Sequence, residues 1–277
     1  MSFSAEWLAL REPADHRSRN AKLAHAVTNY FEGWRPITVI DLGCGTGSNL
    51  RATAPLLGPE QFWTLVDYDA GLLSAARERL SAWAEGSAEK DGALVLFKGA
   101  RRLTVTFRRA DLSAELDDVL AAGANLVTAS ALFDLVSADF LAKLVAGVTQ
   151  RKSAFYTVLT YDGDQRWTPE HPADAAMLAA FHAHQSRDKG FGASVGPSAP
   201  DLLSEGFAAS GYTVTEGDSA WRLGPEDETL IDELAAGFAN AVGETGMVPG
   251  ADLDAWRAEA RTGCIVGHAD TFATPPA

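Results

Sequence analysis

The stretch Ile37-Thr-Val-Ile-Asp-Leu-Gly-Cys-Gly-Thr-Gly-Ser-Asn-Leu50 decides how this chain folds. An apolar, largely β-branched run from Ile37 to Ile40 ends in Asp41 and passes straight into glycines on alternate positions, Gly43, Gly45 and Gly47. Buried strand, tight turn and helix start are the expected elements. The run has strand composition, and the glycines reach backbone angles that a Cβ forbids. Glycines also let a ligand approach the main chain, so the loop reads as a cradle.

Spacing says what the cradle holds. A dinucleotide fingerprint has the form G-x-G-x-x-G, its third glycine packing the helix whose N-terminus meets a pyrophosphate. Here the pattern is G-x-G-x-G, and Ser48 stands where the third dinucleotide glycine falls. Asp41 would repel a phosphate there but suits an ammonium group. The run Asp41-Leu-Gly-Cys-Gly-Thr-Gly47 resembles motif I of the class I S-adenosylmethionine-dependent methyltransferases, whose cofactor carries an amino-acid end and no phosphate. The resemblance implies S-adenosylmethionine as cofactor. It also implies an α/β fold with a doubly wound, mostly parallel sheet of about seven strands in the order 3-2-1-4-5-7-6, the last strand antiparallel. Helical insertions are expected after strand 5 and between strands 6 and 7.

Composition sets the frame. At 277 residues the chain suits one large domain: an N-terminal helical lid (1–35), a cofactor-binding core (36–160), a substrate-side insertion (161–197), and C-terminal helices and strands (198–277). A net charge of −14 disfavours nucleic acid and anionic membrane as partners and leaves small molecules. Cys44 and Cys264 are the only cysteines, far apart and in no metal-ligand spacing, so neither a disulfide nor a metal site is expected. Charged residues near the start (Glu6, Arg11, Glu12, Asp15) do not make a signal peptide, and no apolar run approaches the roughly 20 residues of a membrane span. A cytoplasmic location is expected; the sequence says nothing of oligomeric state.

Before the glycine loop, residues Pro13 to Phe31 read as one helix with Leu23, Ala26, Val27, Tyr30 and Phe31 inward. The stripe continues backwards through Asn20, Arg19 and His16, so Arg19 is expected over the glycine loop as a partner for the cofactor carboxylate, with Arg11 as substitute. After the loop, the second strand ends at Asp67, about 20 residues beyond the glycines, where one carboxylate can accept from both hydroxyls of a ribose. The family resemblance gives Asp67 that role and places Tyr68 on the adenine. Asp69 reads as the cap of a helix from Ala70 to Trp83. Glu85 to Gly92 reads as a linker, and Ala93 to Phe97 with Leu103 to Arg109 as a hairpin-like excursion into the third strand. That strand ends at Asp111-Leu112, where the resemblance implies contact with the adenine amino group; a loop or cap role for Asp111 is the alternative.

The fourth strand ends at Ser130, and its end should form the floor between donor and acceptor. Ala131-Leu-Phe-Asp134 follows, unlike the Asn/Asp-Pro-Pro-Tyr/Phe signature of amino-methylating enzymes that act on nucleobases or glutamine. The fifth strand, Ala154 to Tyr161, is expected to release into a substrate-side insertion carrying Arg166 and Trp167. A helix capped by Asp174 turns Met177, Leu178 and Phe181 inward and sets His184 and Gln185 near that stripe; Asp188 and Lys189 follow in a glycine-rich loop. Tyr161, Arg166, Trp167, Gln185, Asp188 and Lys189 are the candidate substrate contacts, with His184 the preferred general base and Asp134 the second. The activity expected is methyl transfer to a small polar molecule at oxygen or nitrogen. Its rivals are a non-catalytic S-adenosylmethionine-binding module and, disfavoured by glycine spacing and Asp41, a nicotinamide oxidoreductase.

Overall fold

The computed structural model describes residues 3–276. The chain opens with two helices, α1 (Ala5–Ser18) and α2 (Ala21–Tyr30), not the single helix expected from Pro13. Two caps explain the difference. Ser4 accepts from the Trp7 N–H at 3.1 Å and starts α1 early, leaving Pro13 inside the helix. Asn20 accepts from the N–H groups of Lys22 and Leu23 and starts α2 afresh. The break falls at Arg19, so α1 and not α2 reaches the glycine loop.

The motif stretch forms β1 (Ile37–Leu42), the glycine turn and α3 (Ser48–Thr53), followed by β2 (Glu60–Asp67) and α4 (Ala70–Trp83). Then come β3 (Gly86–Lys90), β4 (Ala93–Lys98), β5 (Arg101–Arg109), α5 (Leu112–Ala121), β6 (Leu126–Ser130) and α6 (Ala138–Gln150). The second half contains β7 (Ala154–Thr168), α7 (Asp174–Gln185), α8 (Ala199–Ala209), β8 (Thr213–Asp218) and β9 (Trp221–Leu223). It ends with α9 (Glu228–Gly243), α10 (Gly250–Ala258) and β10 (Gly263–Thr274).

Among the described residues, ten strands form one sheet in the order β3-β4-β5-β2-β1-β6-β7-β10-β8, with β9 beside β10. Strands β5, β2, β1, β6 and β7 run parallel, and β10 runs antiparallel to β7 and β8. The sheet is therefore larger than the seven strands expected: a β3–β4 hairpin extends the β5 edge, and β9 is added to β10. The stretch read as a linker contains β3. An edge strand with one open side is free to be polar, so its composition hides its backbone. Strand β7 does not release at Tyr161 but runs on to Thr168, because β10 pairs with it there, Cys264 opposite Trp167 and Ile265 opposite Arg166.

Strand β1 is buried on both faces, as parallel strands under helices are. Ile37 and Val39 join the core on one face of the sheet, and Ile40 and Leu42 join the other. Because β2 flanks β1 on one side and β6 on the other, the order in which strands are added reverses across β1, and a crevice at the carboxyl ends is the expected ligand position. No helix among the described residues is long and apolar enough to cross a membrane.

Candidate active site

A cavity of about 300 Å³ opens at that place, lined from β1, β2, β5 and β6 and roofed by α1. Gly43 and Gly45 line it. Gly43 has φ +63°, and a Cβ there would stand 3.2 Å from the Leu132 side chain, so a side chain would be strained in conformation and crowded against Leu132. Gly47 does not line the cavity; it turns the chain into α3. Asp67 lines it at the end of β2. One of its oxygens accepts from the Gly45 N–H at 2.9 Å and the other from the Asp69 N–H at 2.9 Å, so Asp67 shapes the glycine loop while each oxygen keeps a second lone pair. Burial raises its pKa, opposed by those N–H groups.

Tyr68, 65% exposed, lines the cavity with a flat ring, backed by the Arg109 guanidinium 5.6 Å from its centroid. Asp111 and Leu112 line it after β5. Asp111 also caps α5, accepting on Oδ1 from the Ser113 N–H (2.9 Å) and hydroxyl (2.6 Å), so the capping role coexists with a place in the wall. Ser130 lines the floor, followed by Ala131 at φ +51°, an angle few non-glycine residues hold. The Ala131 N–H donates to Val158 at 3.0 Å.

The roof differs from expectation. Arg19 is absent from the cavity lining; it reaches beneath the loop and donates to Thr53 Oγ1 (3.0 Å) and Asn49 Oδ1 (2.9 Å). The helix break at Arg19 turns it there. Its substitute, Arg11, lines the cavity, with Nε and a terminal nitrogen on Asp15 (3.0 and 3.1 Å). Asp41 is fully buried and does not line the cavity. Asn49, which does, donates to Asp41 Oδ1 at 2.6 Å, while Oδ2 has no partner. Burial pushes the Asp41 carboxyl up to about 7, against the pull of Asn49 and Arg19. Asp41 thus anchors α3 to β1 and is not set to meet an ammonium group directly.

On the acceptor side, Asp134 sits in a single 3₁₀ turn, Phe133–Leu135, directly after the β6 loop. Phe133 points into the core, Leu132 and Leu135 line the cavity, and Asp134, buried between Phe133 and Leu135, is not itself in the lining. Burial pushes the Asp134 carboxyl up to about 6, and the Arg11 charge pulls it down. His184 is elsewhere: its Nε2 lies 3.0 Å from Glu244 Oε2, just beyond α9, and it does not line the cavity. The α7 face that carries buried Met177 and Ala180 docks on the protein, and His184 faces α9.

Arg166, Trp167 and Gln185 also lie outside the lining. Arg166 pairs with Asp164 at 2.7 Å on the strand's open side, and Trp167, 3% exposed, packs on Phe238 and Trp256. The continuation of β7 accounts for both, since strand alternation sends one side chain out and the next in. Tyr161 is also outside the lining: it is buried, with its hydroxyl 3.1 Å from His182 Nε2. Asp188 does not line the cavity either; its Oδ1 accepts from the N–H groups of Gly190 (2.7 Å) and Gly192 (2.9 Å) and so shapes the loop that brings Lys189 and Phe191 to it. Burial and the charge of Arg187 lower the Lys189 pKa. Among the described residues no group of three or more His, Cys, Asp or Glu is placed to hold a metal ion.

No protein-family model and no curated protein matches the sequence. Solved structures match the architecture. One is a candidate methyltransferase of Bacillus halodurans C-125, with a TM-score of 0.51 at 13% identity, covering 93% of this chain and 100% of that one. The fold is that of the class I methyltransferases. The YcgJ protein of Bacillus subtilis aligns similarly, with a TM-score of 0.50 at 15% identity over 95% of this chain and 100% of that one. Within this methyltransferase fold, the sequence reading missed Leu8 and Asp15 of the roof and Leu132, Leu135 and Phe191 of the wall. Ser4, three residues before Trp7, was the available sign that a helix starts early enough to roof the site.

Proposed function

We propose that the protein transfers a methyl group from S-adenosylmethionine to an oxygen or nitrogen atom of a small polar molecule. One observation carries the reading: a single cavity gathers the glycine cradle, Asp67 at the end of β2, Asp111-Leu112 after β5, and Arg11 on the roof. These groups fit the cofactor's parts. Asp67 keeps a lone pair on each oxygen for the two ribose hydroxyls, and Tyr68 offers a flat face to adenine. Asp111 Oδ2, unused by the cap, suits the adenine amino group. Arg11 suits the carboxylate of the amino-acid end.

When bound, S-adenosylmethionine supplies an electrophilic methyl group on a sulfonium. The chain's own residues orient the two reactants, exclude water and remove a proton. Asp134 is the proton acceptor, because a carboxyl pushed up to about 6 is ionised at neutral pH yet more basic than an ordinary carboxylate. Such a group, next in the chain to cavity-lining Leu135 and under the charge of Arg11 though not itself in the lining, favours an enzyme over a binding module, which has no use for a tuned base. Titration calorimetry tests the cofactor: S-adenosylhomocysteine binds and NAD does not. Binding of NAD alone would overturn the reading.

A further inference from the structure

The face of α1 that roofs the cavity carries Leu8, Arg11 and Asp15, spaced three and four residues apart and so on one side of the helix. Leu8 marks where that face rests. Its Cδ1 lies 3.0 Å from the point a Cβ on Gly45 would occupy, which sets the face on the glycine loop. The neighbouring face fastens the helix: Glu12 pairs with Arg51 at 2.6 Å, and His16 Nε2 lies 2.9 Å from Ser48 Oγ. Asp15 takes no part in this fastening. Among the described residues its side chain bonds only to Arg11.

The amino-acid end of S-adenosylmethionine carries an ammonium group as well as a carboxylate, and the ammonium needs an acceptor. Asp41, the acid that the glycine motif supplies, lies outside the lining behind Asn49. Asn49 has nothing to offer in its place. Its nitrogen donates to Asp41 (2.6 Å) and Thr128 (3.1 Å), and its oxygen accepts from Arg19 (2.9 Å) and Thr53 (3.2 Å), which uses all four of its hydrogen bonds. Asp67, Asp69 and Asp111 stand at or just past the ends of β2 and β5, where the ribose and adenine are proposed to sit. Asp15 is the remaining carboxylate of the lining among the described residues, and it is only 7% exposed. Arg11 reaches it through Nε and Nη2, so Arg11 Nη1 and a lone pair on Asp15 Oδ2 stay uncommitted.

We propose that Arg11 and Asp15 form one receptor for a zwitterion, in which Asp15 takes the ammonium group of the cofactor's amino-acid end while Arg11 takes its carboxylate. The task of the motif acid is thereby moved from β1 to the roof. Opposite charges held side by side on α1 match the opposite charges that an α-amino acid carries close together, and each contact is a charge-assisted hydrogen bond. The Trp221 ring braces the guanidinium, 4.9 Å from its centroid. Burial sharpens the selection, because a charge enclosed beneath α1 without its counter-charge is costly. This receptor rests on the S-adenosylmethionine reading above.

The test is titration calorimetry with three ligands: S-adenosylhomocysteine, its analogue lacking only the amino group, and 5′-methylthioadenosine, which lacks the whole amino-acid end. Asp15→Asn keeps the shape of the side chain and removes its charge; Asp15→Ser removes the carboxylate by another route. Each is expected to weaken S-adenosylhomocysteine at least about tenfold. The deaminated analogue should not weaken, and 5′-methylthioadenosine should stay within about twofold of its parent affinity. Parent affinity for S-adenosylhomocysteine in both variants would overturn the receptor and leave the cofactor reading standing. A parallel loss for all three ligands would also overturn it, since Asp15 would then be scaffold for the roof. A parent that binds none of the three would overturn the cofactor reading itself, and the receptor with it.

Discussion

The two halves of the sheet are assembled in different ways. On the β1-β2-β5 side the cavity is made by main chain at strand ends and by acids at or just past those ends, Asp67 closing β2 and Asp111 two residues beyond β5, which also hold the loops in shape. On the β7-β10-β9 side, side chains far apart in sequence, Tyr161, Trp221 and His268, are brought together by strand pairing and packed beneath Arg11 of α1. The first half is local in sequence and its ligand chemistry is fixed by backbone geometry. The second half is assembled only by tertiary structure, and Arg11 ties it to the cofactor cavity.

The sharpest test of this contrast is at Asp134, which follows β6 between the two halves. Asp134→Asn is expected to lower turnover about 10²- to 10³-fold, the range of a lost general base, while leaving S-adenosylhomocysteine affinity near the parent's. In the parent, kcat/KM should rise with pH through about 6 and level off above it, because only the ionised carboxylate accepts a proton and burial holds its pKa there. The variant's profile should lack that rise. An unchanged profile in steady-state kinetics would remove Asp134 from the chemistry.

The same contrast explains what the sequence could reveal. Gly43 and Asp67 were legible because a strand, a turn and a strand-end acid are encoded within about 30 residues, a spacing that the topology of such folds enforces. Arg19 was misplaced because the periodicity of α2 was extended through a cap at Asn20, and caps end the phase of a stripe. Trp167 was misassigned because the pairing of β7 with β10 joins residues about 100 positions apart, which no local pattern records. His268 and Trp221 carried no sequence signal: a three-residue strand and a histidine inside an apolar run look like ordinary filler until the sheet sets them side by side.

A second, smaller effect is expected at Asp67, in the first half. Asp67→Ala removes the acceptor for the ribose hydroxyls and also frees the Gly45 and Asp69 N–H groups it holds. S-adenosylhomocysteine binding should weaken by about 1–3 kcal/mol, or roughly five- to 150-fold, measured by calorimetry. Asp67→Asn sharpens the comparison, because it keeps an oxygen for one backbone N–H and loses the charge. An intermediate loss would separate the ligand contact from the loop contact, whereas parent affinity in both variants would show that the ribose is held elsewhere.

The smallest effect is expected at His184, which a sequence reading favours as the base. Its partner Glu244 is 64% exposed at the side chain, so the pair is close to solvent, and pairs of that kind contribute about 0–1 kcal/mol. His184→Ala should therefore cost at most about 1 kcal/mol of stability in urea denaturation and change turnover by less than about twofold. The comparison turns on this result. If turnover fell as far as in Asp134→Asn, α7 would have to move its far end toward the cavity during catalysis, and the division between a backbone-built cofactor half and a side-chain-built far half would have to be redrawn to include the α7–α9 contact. If only stability changes, that contact is a tie between two insertions, and the proton is left to the carboxyl that lies after β6.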